Sequence, residues 1–468
     1  MIAVRRTFLI PLIVACALFM ENMDATVITT SLPVLAHDLG QQPITLKLAL
    51  TAYVVGLGVF IPICGWVADR FGARTVFRAA IGVFMAGSLL CAASSSLLAF
   101  VAARFLQGIG GAMMVPVGRI VIFRSVPRSD LVTAISYLTI PSLLGPVIGP
   151  PLGGFITTYF HWRWIFIINV PISLLGIYLA GRFIENFRAD EQQPLDVKGF
   201  ILSAIGSTLL MLGLSLIDGE LVSAKLAGGM CVIGIIFLLL YLRHARTAPF
   251  PLLDLSLLRI PTFRVSVLAG SLFRIGLGAV PFLLPLSLQI GLGMTAFHAG
   301  TITCASAFGA IFMKAIGGSV LRRFGFRSVL IWNAFLAALA LASYGLFTPT
   351  TPYLVMVAVV LLGGFFPSMQ FTCFNSMAYA DLDSADVSRA TSLSSVVQQI
   401  SLGLGVTIGG LAIIFSSRLQ GHATVVAADF WPAFIVIALF SLASIPIARR
   451  LPLDAGNALT GHVRPKTQ

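Results

Sequence analysis

Apolar segments long enough to cross a lipid bilayer recur along the whole chain of 468 residues. A run of about 18 or more apolar residues with few charges is typical of a membrane-spanning helix. Only 10% of the residues are charged and 58% are hydrophobic, whereas a soluble protein of this length needs a far more charged surface. The chain is therefore expected to fold as an all-α polytopic membrane protein.

Fourteen membrane-spanning helices are predicted from the apolar runs. The basic residues support an even number, since 22 of the 30 lysines and arginines lie at one set of helix ends and 4 at the other. Cytoplasmic ends carry the excess of Lys and Arg, so both termini are expected to be cytoplasmic. The predicted spans are residues 8–30, 46–68, 75–96, 98–123, 131–158, 163–183, 198–217, 225–242, 264–290, 298–319, 328–347, 352–374, 389–416 and 431–449. Little more than Ser94-Ser95-Ser96 separates the third span from the fourth, so a tight turn is expected there.

A repeated pattern divides the chain into two related halves. Gly65-Trp-Val-Ala-Asp-Arg-Phe-Gly72 follows the second span, and Gly318-Ser-Val-Leu-Arg-Arg-Phe-Gly325 follows the tenth. Glycines also recur every four residues in the fifth and thirteenth spans. We expect an N-terminal six-helix half (1–185), an inserted helix pair with cytoplasmic linkers (186–263), and a C-terminal six-helix half with a short cytoplasmic tail (264–468). Duplicated halves around a midplane site are typical of secondary transporters.

Several segments carry a family resemblance. They are Met23-Asp24-Ala-Thr-Val-Ile, the loop from Gly65 to Arg78, Arg104-Phe-Leu-Gln107-Gly108-Ile-Gly110-Gly111-Ala112, Gly145-Pro146-Val-Ile-Gly149-Pro150-Pro151-Leu-Gly153-Gly154, and the stretch from Trp162 to Pro171. With these segments in this order, the chain resembles the major facilitator superfamily over essentially its full length. More narrowly, it resembles the fourteen-helix drug:proton antiporter family of the EmrB/QacA type. The resemblance implies the major facilitator fold, with two six-helix halves plus two inserted helices, in the bacterial cytoplasmic (inner) membrane.

Asp24 lies inside the first predicted span, where a carboxylate costs roughly 2.5–3.5 kcal/mol to insert at the helix centre. Reversible protonation would explain its presence, and the resemblance implies proton coupling or substrate contact at this position. The alternative is a structural residue that is hydrogen-bonded to neighbouring helices. Glu21 is expected on nearly the same helix face, either as a second proton-coupling carboxylate or as a pairing group for a neighbouring helix.

Arg104, in the fourth span, is expected at a depth comparable to that of Asp24, because the two spans run in opposite directions. A nearby arginine favours the charged carboxylate, and movement of the arginine would promote protonation. The resemblance links this arginine to proton transfer, whereas a fixed anchor for loops and carbonyl groups is the alternative. The predicted proton-coupling residues are Asp24, Arg104 and Glu21.

Arg274 lies about ten residues into the ninth span, too deep to reach the membrane interface easily. We expect it to face a central cavity, as a counter-ion for Asp24 or a contact for an anionic substrate, or else to anchor helices through hydrogen bonds. Neutral polar side chains of the second half are expected either to line this cavity or to pair helices. The predicted cavity residues are Asp24, Gln107, Arg274, Gln289, Gln370, Asn375 and Gln398.

The loop after the second span is predicted to be a gate latch, in which Asp69 meets a helix N-terminus and an arginine. A charged turn that only sets the topology is the alternative. The latch residues are Gly65, Asp69, Arg70, Gly72 and Arg74, and the second copy has Arg322 in place of Asp69.

In the fifth span, close helix approach and bending are expected from Gly145, Pro146, Gly149, Gly153 and Gly154. The resemblance implies that this motif marks exchange of substrate for protons.

Together these features predict a proton-coupled exporter (antiporter) of small amphipathic compounds or drugs. Export of a specific anionic metabolite recognised by Arg274 is the alternative. The sequence has no Walker loop for ATP, and without an H-E-x-x-H or G-x-S-x-G motif an enzyme is not expected. A receptor is a further alternative, and it would bind ligands without transporting them. A scaffold protein is disfavoured, because the loops are short.

The expected partners are the substrate, protons and the lipid bilayer, with a periplasmic accessory protein left open. No metal or other cofactor is expected. The net charge is +13, but the sequence contains no basic run interleaved with aromatic residues of the kind that binds nucleic acid.

Overall fold

The computed structural model describes residues 2–126, 131–188, 194–217, 221–382, 387–422 and 424–452, and within them it is helical, without a strand. The side chains of residues 1–8, 123, 131–136, 139–143 and 387–388 are outside this description, and so is the predicted C-terminal tail beyond residue 452. The α-helices are α1 (Ile2–Asp38), α2 (Lys47–Phe60), α3 (Cys64–Phe71), α4 (Ala73–Ala93), α5 (Leu97–Ser125), α6 (Leu131–Tyr159), α7 (Trp164–Ile167), α8 (Asn169–Phe183), α9 (Val197–Leu216), α10 (Ala224–Ala245), α11 (Pro261–Leu286), α12 (Ala296–Phe324), α13 (Phe326–Ser343), α14 (Tyr353–Ala378), α15 (Val387–Leu419) and α16 (Ala427–Ala448).

The helices confirm the predicted all-α membrane fold. Within the described residues, 13 helical segments are long and apolar enough to cross a membrane. The remaining predicted span, 131–158, coincides with α6, which has 29 residues. Several spans are less regular than expected. A 3₁₀ turn at Ile61–Ile63, which contains Pro62, separates α2 from α3. The predicted sixth span is divided into α7 and α8 at Ile168, and the predicted ninth span ends in a π-helical segment, Ser287–Gly291. A proline lacks the backbone donor that a continuous helix requires, which accounts for the first interruption.

The repeated loops have matching backbone conformations. Gly72, between α3 and α4, has φ +95°, and Gly325, between α12 and α13, has φ +72°. Residues with a Cβ rarely adopt this left-handed region, so each loop requires its glycine to turn tightly into the next helix. The tight turn predicted between the third and fourth spans is also present, where the Ser96 side chain accepts a hydrogen bond from Ala99 N and caps α5.

The chain forms two compact units, one comprising Met1–Leu252 with Thr295–Gly300 and the other Leu253–Met294 with Thr301–Gln468. The first unit has a hydrophobic core that includes Phe77 and Phe84, and the second has one that includes Phe273 and Phe374. The inserted pair α9–α10 belongs to the first unit, where the Ser215 and Thr51 hydroxyls lie 3.2 Å apart and join α9 to α2. The predicted three-part division at residues 185 and 263 stays a prediction.

A carboxylate at the start of α9 holds the inserted pair to the following linker. Asp196 accepts hydrogen bonds from the backbone N–H of Gly199 at 2.8 Å and of Leu252 at 3.2 Å, and it lies 2.7 Å from His244 Nε2 at the end of α10. Burial raises the pKa of Asp196, but these hydrogen bonds outweigh it and leave the pKa below its usual value. The charged form of Asp196 therefore stabilises the base of the helix pair.

The glycine ladder of α6 brings α1 close to it. A methyl group added at Gly145 would lie 2.9 Å from the backbone N of Met23, and one at Gly149 would collide with the Thr26 hydroxyl. Gly153 faces the backbone carbonyl of Val27 in the same way. In the second unit, Gly405 of α15 meets the Ile275 carbonyl of α11. In both units, small residues thus let two helix backbones approach as they do in many membrane bundles.

We predict that Gly149→Ala destabilises the protein, because the new methyl group would have to displace Thr26 and α1. Overpacking of this kind typically costs about 1–3 kcal/mol. The melting temperature in detergent should fall for Gly149→Ala. Gly229→Ala is the matched control, since a methyl group at Gly229 on α10 meets nothing within 4 Å; an equal fall in both variants would contradict the close-packing role.

Candidate functional site

The first unit contains a buried ion pair between the two charged residues that were expected at similar depth. Arg104 Nη1 of α5 donates to Asp24 Oδ2 of α1 at 2.6 Å. Asp24 is 3% exposed and Arg104 is fully buried. An ion pair removed from water is favourable only when further hydrogen bonds satisfy the remaining polar atoms.

Neutral amides complete the shell of Asp24. Gln107 Nε2 donates to Asp24 Oδ1 at 2.9 Å, and Asn169 Nδ2 of α8 donates to the same oxygen at 2.8 Å. Both amides also donate to the Ser88 hydroxyl of α4, at 2.8 and 3.2 Å. Arg104 Nη1 reaches Gln107 Oε1 at 2.5 Å as well. Asp24 thus receives donors from two other helices, and Ser88 ties both amides to a third.

Asn169 and Ser88 were not predicted as site residues. Asn169 lies within the Trp162–Pro171 stretch that carried the family resemblance, so a signal for it was present. Ser88 has no comparable signal, because one serine among apolar residues in a span is ordinary. Gln107, which was predicted to line a substrate cavity, is fully buried and forms part of the carboxylate network.

Glycines on α5 explain how the polar side chains reach one another. A methyl group at Gly108 would collide with the Tyr53 carbonyl of α2, and one at Gly110 would collide with the backbone N of Phe84 of α4. The glycine-rich stretch after Arg104 therefore lets α5 lie against both α2 and α4. This contact also places the Arg104 guanidinium 4.3 Å from the centre of the Tyr53 ring, a cation–π arrangement.

Glu21 lies one helical turn before Asp24 but outside its hydrogen-bonded network. Its Oε2 atom is buried and has no hydrogen-bond partner, and the same holds for the hydroxyl of Tyr53. Both side chains border Gly111: a methyl group built there would lie 3.0 Å from the Tyr53 hydroxyl and 3.6 Å from Glu21 Oε1. The structure therefore brings Glu21 near Tyr53 rather than into contact with Arg104.

In the second unit, Arg274 of α11 is 3% exposed. Its Nη2 donates to Asn375 Oδ1 of α14 at 2.9 Å, its guanidinium lies 5.2 Å from the centre of the Phe371 ring, and its Nε is buried without a partner. Among the described residues, no carboxylate lies within ion-pairing distance of Arg274. Arg274 and Asn375, both predicted as cavity residues, thus form one polar contact within this unit.

The remaining predicted cavity residues, Gln289, Gln370 and Gln398, lie on three different helical segments. Gln370 is fully buried and pairs α14 with α13, accepting from Asn333 Nδ2 at 3.0 Å and donating to the Leu330 carbonyl at 3.0 Å. Gln289 donates to the Pro285 carbonyl of its own helix region at 3.3 Å, and Gln398 is half-buried. Gln370 has the contacts of a helix-pairing group, which was the alternative interpretation, so its cavity role stays a prediction without a supporting contact.

The predicted latch contains one ion pair. Asp69 Oδ1 lies 2.8 Å from Arg124 Nη2 at the end of α5, with both side chains more than a third exposed. The tight turn at Gly72 packs against Asn186, whose Oδ1 accepts from Thr75 N at 3.3 Å.

The other latch residues lie around this turn. Arg74 Nη1 reaches the Ile184 carbonyl at 3.5 Å, and Arg70 lies over Trp66 at 5.7 Å. Gly65 is exposed, with open space where a side chain would be. The loop is therefore joined to the end of α5 by charge and to the segment after α8 by hydrogen bonds.

The α6 motif residues lie on the contact surfaces of that helix. Gly145, Gly149 and Gly153 face α1, and Gly154 faces the backbone of Ala296 and Phe297. Pro146 is half-buried inside the helix. Through α1, the motif positions the helix that carries Asp24. Among the described residues no group of three or more His, Cys, Asp or Glu side chains is arranged to hold a metal ion.

Comparison with known families identifies related sequences over nearly the whole chain. The profile of the Major Facilitator Superfamily matches residues 14–405 and 266–461. The chain is 38% identical over 449 residues to MdtD of Klebsiella pneumoniae (strain 342), covering 95% of this chain and 94% of the relative. It is 37% identical over 448 residues to MdtD of Escherichia fergusonii, covering 94% of each. Both relatives are provisionally named multidrug resistance proteins.

Solved structures share the fold at low sequence identity. The POT family transporter PepTSo aligns with a TM-score of 0.70 at 14% identity, covering 94% of this chain and 96% of that one. A POT family transporter in complex with 5-aminolevulinic acid aligns with a TM-score of 0.68 at 13% identity, covering 95% of each chain. At this identity the likeness concerns the fold alone.

We predict strong thermodynamic coupling between Asp24 and Arg104. Asp24→Asn or Arg104→Gln alone leaves the partner charge buried, and breaking such a pair typically costs about 3–5 kcal/mol. The double variant removes both charges and retains hydrogen-bonding amides. Its melting temperature in detergent should lie above that of either single variant; additive losses would show that the two side chains do not stabilise each other.

Proposed function

Because the chain belongs to the Major Facilitator Superfamily, we propose that it is a proton-coupled exporter of small amphipathic compounds or drugs that works by alternating access. The relatives named as multidrug resistance proteins support export of such compounds. The buried Asp24–Arg104 pair is the observation that supports proton coupling. A carboxylate in a membrane span is costly to insert, and such residues are usually functional.

Coupling requires Asp24 to exist in two states. In the structure Arg104 lies 2.6 Å from Oδ2 and two amides donate to Oδ1, so the charge of the carboxylate is compensated. If Arg104 moves away, a buried carboxylate without its counter-ion favours protonation, and the neutral side chain then no longer attracts the arginine. Proton entry under a membrane potential of 100 mV supplies roughly 2.3 kcal/mol. Glu21, Asp24 and Arg104 are the proposed proton-coupling residues.

The Asp69–Arg124 pair is the proposed latch. It joins the loop between α3 and α4 to the end of α5, the helix that carries Arg104. Since an exposed ion pair contributes little stability, it can break and re-form during a transport cycle. With Gly65, Arg70, Gly72 and Arg74 it would control opening at the cytoplasmic end. The same proposal places both termini in the cytoplasm of a bacterial inner-membrane protein.

Arg274 favours a second candidate function, export of an anionic metabolite. Its guanidinium is buried, carries a free Nε donor and has a neutral amide rather than a carboxylate as its partner. An anion would compensate this charge. In this version the substrate would contact Arg274 and Asn375, with Gln107, Gln289, Gln370 and Gln398 as further predicted cavity residues. A periplasmic accessory protein that carries the substrate onward is compatible with either version.

We predict that Asp24→Asn abolishes substrate-driven proton flux. Purified protein in liposomes with an imposed pH gradient and an internal pH dye would be challenged with lipophilic cations such as tetraphenylphosphonium and with organic anions such as benzoate. Asp38→Asn is the matched control, because it makes the same substitution on the same helix at a partly exposed site. Wild-type flux in Asp24→Asn would contradict coupling at this residue, and no flux from any compound in the wild type would contradict the proposed function.

Arg274→Gln distinguishes the two candidate substrates. If anions drive flux, the variant should lose that response while retaining a folded protein, because glutamine removes the buried charge and keeps a polar amide at this position. If only cations drive flux and the variant responds as the wild type does, the anionic version is wrong.

We predict that the latch depends on opposite charges rather than on particular side chains. Asp69→Arg should slow export because it places two arginines together, and the exchange Asp69→Arg with Arg124→Asp should recover a substantial part of the rate. The measurement is the initial rate of efflux of the transported compound from liposomes. Equal losses in the single and exchanged variants would contradict the latch.

A further inference from the structure

We propose that Glu21, rather than Asp24, holds the exchanged proton in the conformation described, and that Tyr53 connects Glu21 to Arg104. The proposal rests on the proposed proton-coupled function. It assigns the exchanged proton to Glu21 and the ion pair with Arg104 to Asp24. It also assigns a role to Tyr53, a residue without a motif of its own.

Asp24 has hydrogen-bond donors on both of its oxygens. Its Oδ2 accepts from the Arg104 guanidinium, and its Oδ1 accepts from the amides of Gln107 and Asn169. These contacts use three of the four lone-pair sites of the carboxylate, and one donor is a charged guanidinium, so the negative charge is compensated without a proton. In this arrangement Asp24 is the charged partner of Arg104.

Glu21 has the opposite surroundings. Its Oε2 is buried and receives no donor, and a buried carboxylate without donors is unfavourable as an anion. The charged groups that act on it are Asp24 from its own helix and Arg119 from α5. Arg119 is exposed rather than hydrogen-bonded to the carboxylate, and Asp24 repels a second negative charge. Within the described part of α6, Gly145 and Gly149 face this part of α1, and glycine has no charge to offer.

Tyr53 borders both Arg104 and Glu21. Its ring lies against the Arg104 guanidinium at 4.3 Å, while its buried hydroxyl has no partner and borders the same space at Gly111 as Glu21 does. Rotation of these side chains would let the hydroxyl donate to a Glu21 carboxylate. When the Glu21 proton leaves to water, Tyr53 would stabilise the resulting anion, and its ring would transmit that movement to Arg104.

Infrared spectroscopy of the purified protein in liposomes tests this assignment without any substrate. The carbonyl-stretching band of a protonated carboxylic acid is recorded over a pH titration. We expect such a band at neutral pH in the wild type, its loss in Glu21→Gln, and its retention in Glu185→Gln, which makes the same substitution at an exposed glutamate. A band that persists in Glu21→Gln, or one that is lost only in Asp24→Asn, would overturn the proposal.

Tyr53→Phe tests the proposed contact between the Tyr53 hydroxyl and Glu21. The variant keeps the ring on the guanidinium and removes only the hydroxyl, so the titration midpoint of the Glu21 band should move to higher pH. An unchanged midpoint would overturn the role of Tyr53, because a purely structural tyrosine would not alter this titration.

Proton flux in liposomes separates this proposal from the proposed function. Glu21→Gln should lose substrate-driven flux in response to the compounds that drive flux in the wild type. Wild-type flux in Glu21→Gln would contradict the assignment of Glu21. The predicted bands in a protein that transports no compound would instead contradict the exporter function and leave the protonation of Glu21 established.

Discussion

The ion pair between Asp24 and Arg104 is the interaction on which the first unit depends. A carboxylate and a guanidinium buried among apolar helices must compensate each other, and a pair alone leaves donors and acceptors unsatisfied. The neighbouring helices supply Gln107, Asn169 and Ser88 to complete the network. The close approach of these helices depends in turn on glycines, since a methyl group at Gly108 or Gly149 would collide with the facing helix. The polar network and the glycine ladders are thus parts of one arrangement.

The two units use the same packing for different chemistry. α6 lies on α1 through glycines, and α15 lies on α11 in the same way. The matching glycines at positions 72 and 325 turn the chain into the next helix in both units. The charges differ, however: α1 carries Asp24, whereas α11 carries Arg274, and the latch carboxylate Asp69 is replaced by Arg322. The two units therefore share their close helix contacts and differ in their charged residues.

The sequence was sufficient to predict the spans, the tight turn before Leu97, the repeat and the pairing of Asp24 with Arg104. These features follow from apolar run length, from the positions of glycine and from counting turns along antiparallel helices. Asn169, Ser88 and Tyr53 were missed because their roles arise from contacts between helices far apart in the sequence. Gln370 shows the same difficulty, since an isolated glutamine in a span is equally compatible with a cavity and with the pairing to Asn333 that the structure contains. The break at Ile168 was also missed, although Pro171 lacks the N–H that a continuous helix would donate to the Ile167 carbonyl.

We propose that the charges of Asp24 and Arg104 act as a switch and do more than hold the helices together. The most direct test is substrate-driven proton flux in the neutral double variant Asp24→Asn/Arg104→Gln, reconstituted in liposomes and verified as folded. We expect a stable protein without coupled flux, because the charges that alternate between two states are gone. Coupled flux at the wild-type rate would show that the pair is a fixed structural anchor and that the proton is carried without it.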